Sequence, residues 1–90
     1  MPKAVRDFLG MSFFFWSNEQ SGNALEPIHI HVGKGKPASN ATKFWLRQDG
    51  KVELCHNGSR LSDKEIAKAT EYIKWNYNVI VAAWYQHFGR

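Results

Sequence analysis

The run Pro27-Ile28-His29-Ile30-His31-Val32 admits few conformations. Its β-branched residues favour extended chain. A proline at the head of a strand is tolerated, because its missing N–H need not join a ladder there. Gly33-Lys34-Gly35 closes the run. Alternate side chains of a strand point to opposite faces. Ile28, Ile30 and Val32 therefore share a core face, and His29 and His31 share the other. The two imidazoles are expected as half-exposed strand residues, hydrogen-bonded to neighbours.

The remaining strands follow from similar patterns. Residues 1–10 read as a lead-in in which Phe8 and Leu9 tuck against the core. Residues 11–17 read as a strand with large apolar groups on both faces: Met11, Phe13 and Phe15 on one, Phe14 and Trp16 on the other. Residues 18–26 are a polar loop. The histidine strand covers 27–33, and a basic glycine-containing loop follows. Residues 41–47 form the next strand, with Thr42, Phe44 and Leu46 opposite Lys43, Trp45 and Arg47. Asp49-Gly50 is a strong hairpin signal. It leads to a strand at 51–55 with Val52 and Leu54 inward.

A helix is expected from 62 to 88. Ser62 and Glu65 have the spacing of a capping box, and Leu61 and Ile66 occupy the hydrophobic-staple positions. Asp63 and Glu65 lie in the first turn, where the helix dipole favours negative charge. The apolar stripe runs through Ile66, Thr70, Ile73, Tyr77, Ile80, Trp84 and Phe88, at helical spacing. Asn76, Asn78 and Val79-Ile80-Val81 are poor helix formers. They leave a kink, or two abutting helices, between Trp75 and Asn78 as the alternative to one continuous helix. The fold class is α+β: a small, mostly antiparallel sheet of three to four strands against a long C-terminal helix.

Ninety residues are the size of one domain, 1–90. Such a chain buries about 60% of its unfolded surface, so its stability margin is narrow. An aromatic fraction of 14% enlarges the core and leaves rings over for an interface. The formal net charge of +4 favours acidic partners or nucleic acid. Cys55 is the only cysteine, which excludes an intramolecular disulfide and fits a reducing cytoplasm. Phe13-Phe14-Phe15-Trp16 is too short to span a bilayer, and no membrane partner is expected.

His29 and His31 are the candidate chemical residues. Two histidines two apart on a strand can ligate one divalent, zinc-like metal if a third ligand converges. His56 is the leading third ligand; Cys55, Glu53, Glu26 and His87 are the others. The same pair could act as general acid and base in a hydrolase or nuclease. The sequence holds no Ser-His-Asp order, no paired carboxylates and no P-loop, so the reading leans against an enzyme. Cys55 reads as a small buried hydrophobe, and His87 as a cation at a helix C-terminus. Lys34, Lys36, Lys43, Trp45 and Arg47 are the candidate contacts for nucleic acid or a protein partner.

Pro27-Ile28-His29-Ile30-His31-Val32, Ala41-Thr42-Lys43-Phe44-Trp45-Leu46 and a helix closing with Ala83-Trp84 together resemble the bacterial family called domain of unknown function 4160. That family shows a Pro-Pro-His-(Ile or Phe)-His-Val core and an Ala-Lys-Phe-Trp-Leu strand. Ile28 stands in place of the second proline, and Asn76 in place of a family histidine. The family has no established activity. Its genes often neighbour those of another small protein, in arrangements resembling toxin–antitoxin pairs. The resemblance implies a protein-interaction or regulatory partner, and the apolar late helix adds a surface for a partner or for self-association.

Overall fold

The computed structural model describes residues 3–15, 27–35 and 40–88. Five strands and two helices follow in chain order: β1 (Lys3–Phe8), β2 (Met11–Phe14), β3 (His29–Lys34), β4 (Thr42–Leu46), β5 (Val52–His56), α1 (Asp63–Trp75) and α2 (Tyr77–Phe88). The strands form one antiparallel sheet in sequence order. The α+β class is as expected; the strand count and the single helix are not.

The extra strand is β1, in the stretch expected as a lead-in. Its sequence, Lys-Ala-Val-Arg-Asp-Phe, carries no clean alternation. Pairing with β2 and packing from the helices hold it, neither of which leaves a local signature. Leu9 and Gly10 form the connecting turn, both with positive φ (52° and 76°). Two such central residues make the turn whose twist suits a two-residue hairpin. Phe8 then stacks on Tyr72 of α1, with centroids 4.3 Å apart.

β2 ends at Phe14, and Phe15 follows it as a buried residue. Trp16, Ser17 and the polar loop at 18–26 lie outside the described residues. β3 begins at His29, not at Pro27, and runs on through Gly33 to Lys34. The Arg47–Gly50 turn closes as expected. Gly50 has a φ of 88°, and its N–H donates to the Arg47 carbonyl.

The register confirms the division of faces. Ile30 pairs with Phe44 and Val32 with Phe13, while His31 pairs with Phe14 and Lys43. Phe13, Ile30, Val32, Phe44 and Leu46 join Ile73, Ile80 and Trp84 in one core. On β5, Val52 packs against that core but Leu54 is exposed, against expectation. Cys55 is also exposed. The register skips between the Lys43–His56 and Phe44–Leu54 pairs, so Cys55 falls in an irregularity of an open edge and has nothing to pack into.

The helix start is built as the sequence indicates. The Ser62 hydroxyl accepts from the Glu65 N–H, and the Glu65 carboxylate accepts from the Ser62 N–H. The helix is interrupted at Asn76. Its N–H reaches the carbonyls of Tyr72 and Ile73, and its side-chain amide donates to Tyr72. Its own carbonyl accepts from Ile80. Asn76 thus closes α1 and opens α2, and the apolar stripe crosses the break with Ile73, Ile80 and Trp84 buried. Tyr77 secures α2 to the sheet by donating its hydroxyl to the Arg47 carbonyl. Among the described residues, no helix is long and apolar enough to cross a membrane.

Candidate functional site

His29 and His31 lie side by side on β3, and both are buried, with 1% and 5% of their surface exposed. The half-exposed state expected for a strand face open to water is therefore corrected. Rings account for part of this enclosure. The His29 imidazole stands edge-on to His31 at 5.4 Å, to Trp45 at 5.5 Å and to Trp84 at 4.9 Å. His31 stacks on Phe14 at 5.8 Å. Trp84 continues the cluster to Phe15 and Phe88, and Phe15 meets His87. The strand histidines thus join the sheet face opposite Ile30 to the last turns of α2.

One hydrogen bond fixes the tautomer of His29. Its Nδ1 lies 2.9 Å from the Pro27 carbonyl oxygen. A carbonyl only accepts, so Nδ1 carries the proton, and Nε2 is the basic nitrogen of the neutral ring.

The proposed third ligands are dispersed. His56 occupies the same lateral row as His31, but Lys43 of β4 stands between them. Two strand spacings of about 4.8 Å separate their backbones, and the intervening residue is a cation. Glu53 pairs across from Trp45 and is engaged by Arg47 at 2.7 Å. Cys55 is exposed on β5, and His87 lies in the last turn of α2 against Phe15 and Phe88. Glu26 lies outside the described residues. Among the described residues, no three His, Cys, Asp or Glu side chains are grouped to hold a metal ion.

The candidate cationic patch divides between the two faces of the sheet. Lys34 alternates with Val32 and Ile30 on the helix side, and its ammonium pairs with Glu65 at 3.2 Å. Lys43, Trp45 and Arg47 lie on the opposite side. There the indole of Trp45 is flanked by its neighbours, with the Lys43 ammonium 4.4 Å and the Arg47 guanidinium 5.4 Å from its centroid. Both contacts are cation–π arrangements. The ring is engaged by its own strand, which makes it a poor platform for a base. Lys36 lies outside the described residues.

Two further features carry weight. The turn after β5 is tied to the sheet by Asn57 and Ser59. Asn57 accepts from the Thr42 hydroxyl and the Leu61 N–H, and donates to the Leu61 carbonyl. The Ser59 hydroxyl accepts from the Thr42 N–H and donates to the Val32 carbonyl. This network sets where α1 begins. The second feature is the outer surface from Trp75 to Gln86, a run that holds no Asp, Glu, Lys or Arg. Trp75, Val79 and Tyr85 are 75%, 56% and 51% exposed there. The absence of charge was the signal available in the sequence.

The family model described as domain of unknown function (DUF4160) matches residues 10–85. No curated protein and no solved structure matches the chain.

Proposed function

The chain belongs to the family of domain of unknown function 4160, and on that premise we propose that it is a protein-interaction module, a regulatory partner of the kind found in toxin–antitoxin-like pairs. The observation that carries this reading is the uncharged outer face of α2. A surface helix ordinarily sets charged residues opposite its buried stripe. Here the opposite side offers Val79 and Tyr85 to water, and Trp75, the last residue of α1, is exposed just before it. Exposed apolar groups of this size in one contiguous patch mark an interaction site.

The sheet edges favour the helix face further. β1 carries two irregularities of register, at Lys3/Val5 and Val5/Phe8, and β5 carries one beside Cys55. Charges also stud them: Lys3 pairs with Asp7, and Glu53 with Arg47. Bulges and charges on edge strands discourage the addition of a further strand. Burial of His29 and His31 also weighs against their use as acid and base, because a substrate needs access to both rings.

The test uses the chain and a Trp75→Ser/Tyr85→Ser variant as baits. Circular dichroism of both first checks that the fold is kept. A partner retained by the parent and lost by the variant supports the reading. Equal retention by both, or no partner on either, overturns it.

A further inference from the structure

We infer that Asn57-Gly58 is a modification site gated by the fold. The closed turn restrains Asn57 from deamidation, and opening of the turn converts it one-way to aspartate or isoaspartate.

The chemistry is internal to the dipeptide, with water as the one co-reactant. The Gly58 amide nitrogen attacks Cγ of Asn57 and gives up its proton. The Cγ–Nδ2 bond breaks, and ammonia leaves with that proton. A five-membered succinimide remains. Water then adds to one of its two carbonyl carbons, and the bond from that carbon to the ring nitrogen breaks. Opening at Cγ gives aspartate, and opening at the main-chain carbonyl gives isoaspartate. Glycine has no Cβ to shield the attacking nitrogen. Asn57 is the only asparagine in the chain that precedes glycine.

Packing imposes both residues. A Cβ at Gly58 would lie 1.5 Å from the Asn40 carbonyl oxygen, so no larger residue fits there. Asn57 Oδ1 accepts from the Leu61 N–H at 2.9 Å, and its Nδ2 donates to the Leu61 carbonyl at 2.9 Å. The reactive pair is therefore required where it stands.

The same contacts hold it closed. Bonding to both backbone groups of Leu61 fixes the plane of the Asn57 amide. The buried Thr42 hydroxyl adds a third bond to Oδ1, at 2.7 Å. The Arg60 N–H closes the turn on the Asn57 carbonyl. Cγ turns towards the Gly58 nitrogen only when the side-chain bonds let go. Each bond of ordinary net strength favours the closed form by about fivefold, and the three together by about a hundredfold.

The product does not close again. An ionised aspartate only accepts, so it sets an oxygen against the Leu61 carbonyl where Nδ2 donated. Isoaspartate routes the main chain through the former side chain and lengthens the link to Gly58, which already abuts Asn40. Either product undoes the network that sets where α1 begins.

Mass spectrometry of the tryptic peptide 52–60 tests the gate, with isoaspartate separated from aspartate by chromatography. The full chain is incubated at one mildly alkaline pH, folded in buffer and unfolded in urea. Deamidation at Asn57 should be about a hundredfold slower in the folded chain. Thr42→Val removes the bond to Oδ1 and an acceptor for the Ser59 N–H. It should speed the folded reaction by about fivefold or more and leave the urea rate unchanged. His29→Phe weakens the fold at the far end of β3 and should keep the folded rate of the parent. Circular dichroism checks that both variants are folded. Deamidated chain returned from urea should show a lower urea midpoint than unmodified chain treated alike. Equal rates in folded and unfolded parent overturn the proposal, and that comparison needs no variant. So does a folded rate untouched by Thr42→Val, equal acceleration by His29→Phe, or a deamidated chain with the midpoint of the unmodified one.

Discussion

The imidazole of His29 stands 4.9 Å from the indole of Trp84, edge to face. This contact joins the first residue of β3 to the second-last turn of α2. The residues are 55 positions apart in sequence, and both are buried. The His-x-His signature thus acts as a fastening between sheet and helix. The bond from Nδ1 to the Pro27 carbonyl holds the ring in the orientation that makes the contact.

Removing that ring should be costly. His29→Ala empties a buried site and deletes one hydrogen bond, for an expected loss of about 2–4 kcal/mol. His29→Phe keeps a ring against Trp45 and Trp84 and loses the bond to Pro27, for about 1–2 kcal/mol. Urea denaturation followed by tryptophan fluorescence measures both. Equal losses in the two variants would show that ring contacts contribute little.

Gly58 has no room for a methyl group. A Cβ built there lies 1.5 Å from the carbonyl oxygen of Asn40, a backbone atom. Gly58→Ala must therefore displace the turn that Asn57 and Ser59 tie to β4. Overpacking of this kind costs about 2–3 kcal/mol, or a fall of about 10–20 °C in Tm for a chain this size. A calorimetric Tm within a few degrees of the parent's would contradict the close approach.

Leu9 is the reverse case. It holds a φ of 52° in the β1–β2 turn and is exposed, so its side chain gains little there and its backbone is strained. Leu9→Asn supplies the Asn-Gly pair that such turns prefer. It should stabilise the chain by about 0.5–1 kcal/mol, read as a higher denaturation midpoint at unchanged slope. An unchanged or lower midpoint would argue against strain at this position.

Acid should loosen the start of α1. The Ser62 backbone N–H, and then the Lys34 ammonium, hold the Glu65 carboxyl below its ordinary value. A carboxyl depressed on folding contributes stability above its unfolded value and loses it as pH falls through the folded one. The urea midpoint of the parent should therefore decline over that acidic window. Glu65→Gln should flatten this part of the profile while leaving the Ser62 cap in place. Identical acid profiles for parent and variant would remove Glu65 from the account.

The local determinants of this fold stand in the chain. Alternation in Pro27–Val32 assigns the core face, Asp49-Gly50 makes a turn, and Ser62 with Glu65 starts a helix. Each depends on residues within a few positions of one another, so a short window contains its cause. The poor helix formers around Asn76 left both a continuous and a broken helix open; the break is made by Asn76, whose side-chain amide and backbone N–H bond back to the last turn of α1. β1 could not be read this way, since its ladder with β2 and the packing of Tyr72 on Phe8 hold it, rather than its own pattern. The exposure of Leu54 and Cys55 depends on an irregular edge that no local spacing encodes.

His29 and His31 divide along the same line. Their spacing determined that both imidazoles occupy the sheet face opposite Ile30. Whether that face met water or other rings was decided by tertiary contacts, among them α2, whose Trp84 arrives from far along the chain. Burial is a sum over distant neighbours, and a strand cannot specify it alone. The charge-free face of α2 is the counterpart: its composition was visible in the sequence, and packing of the opposite stripe decided that it faces outward.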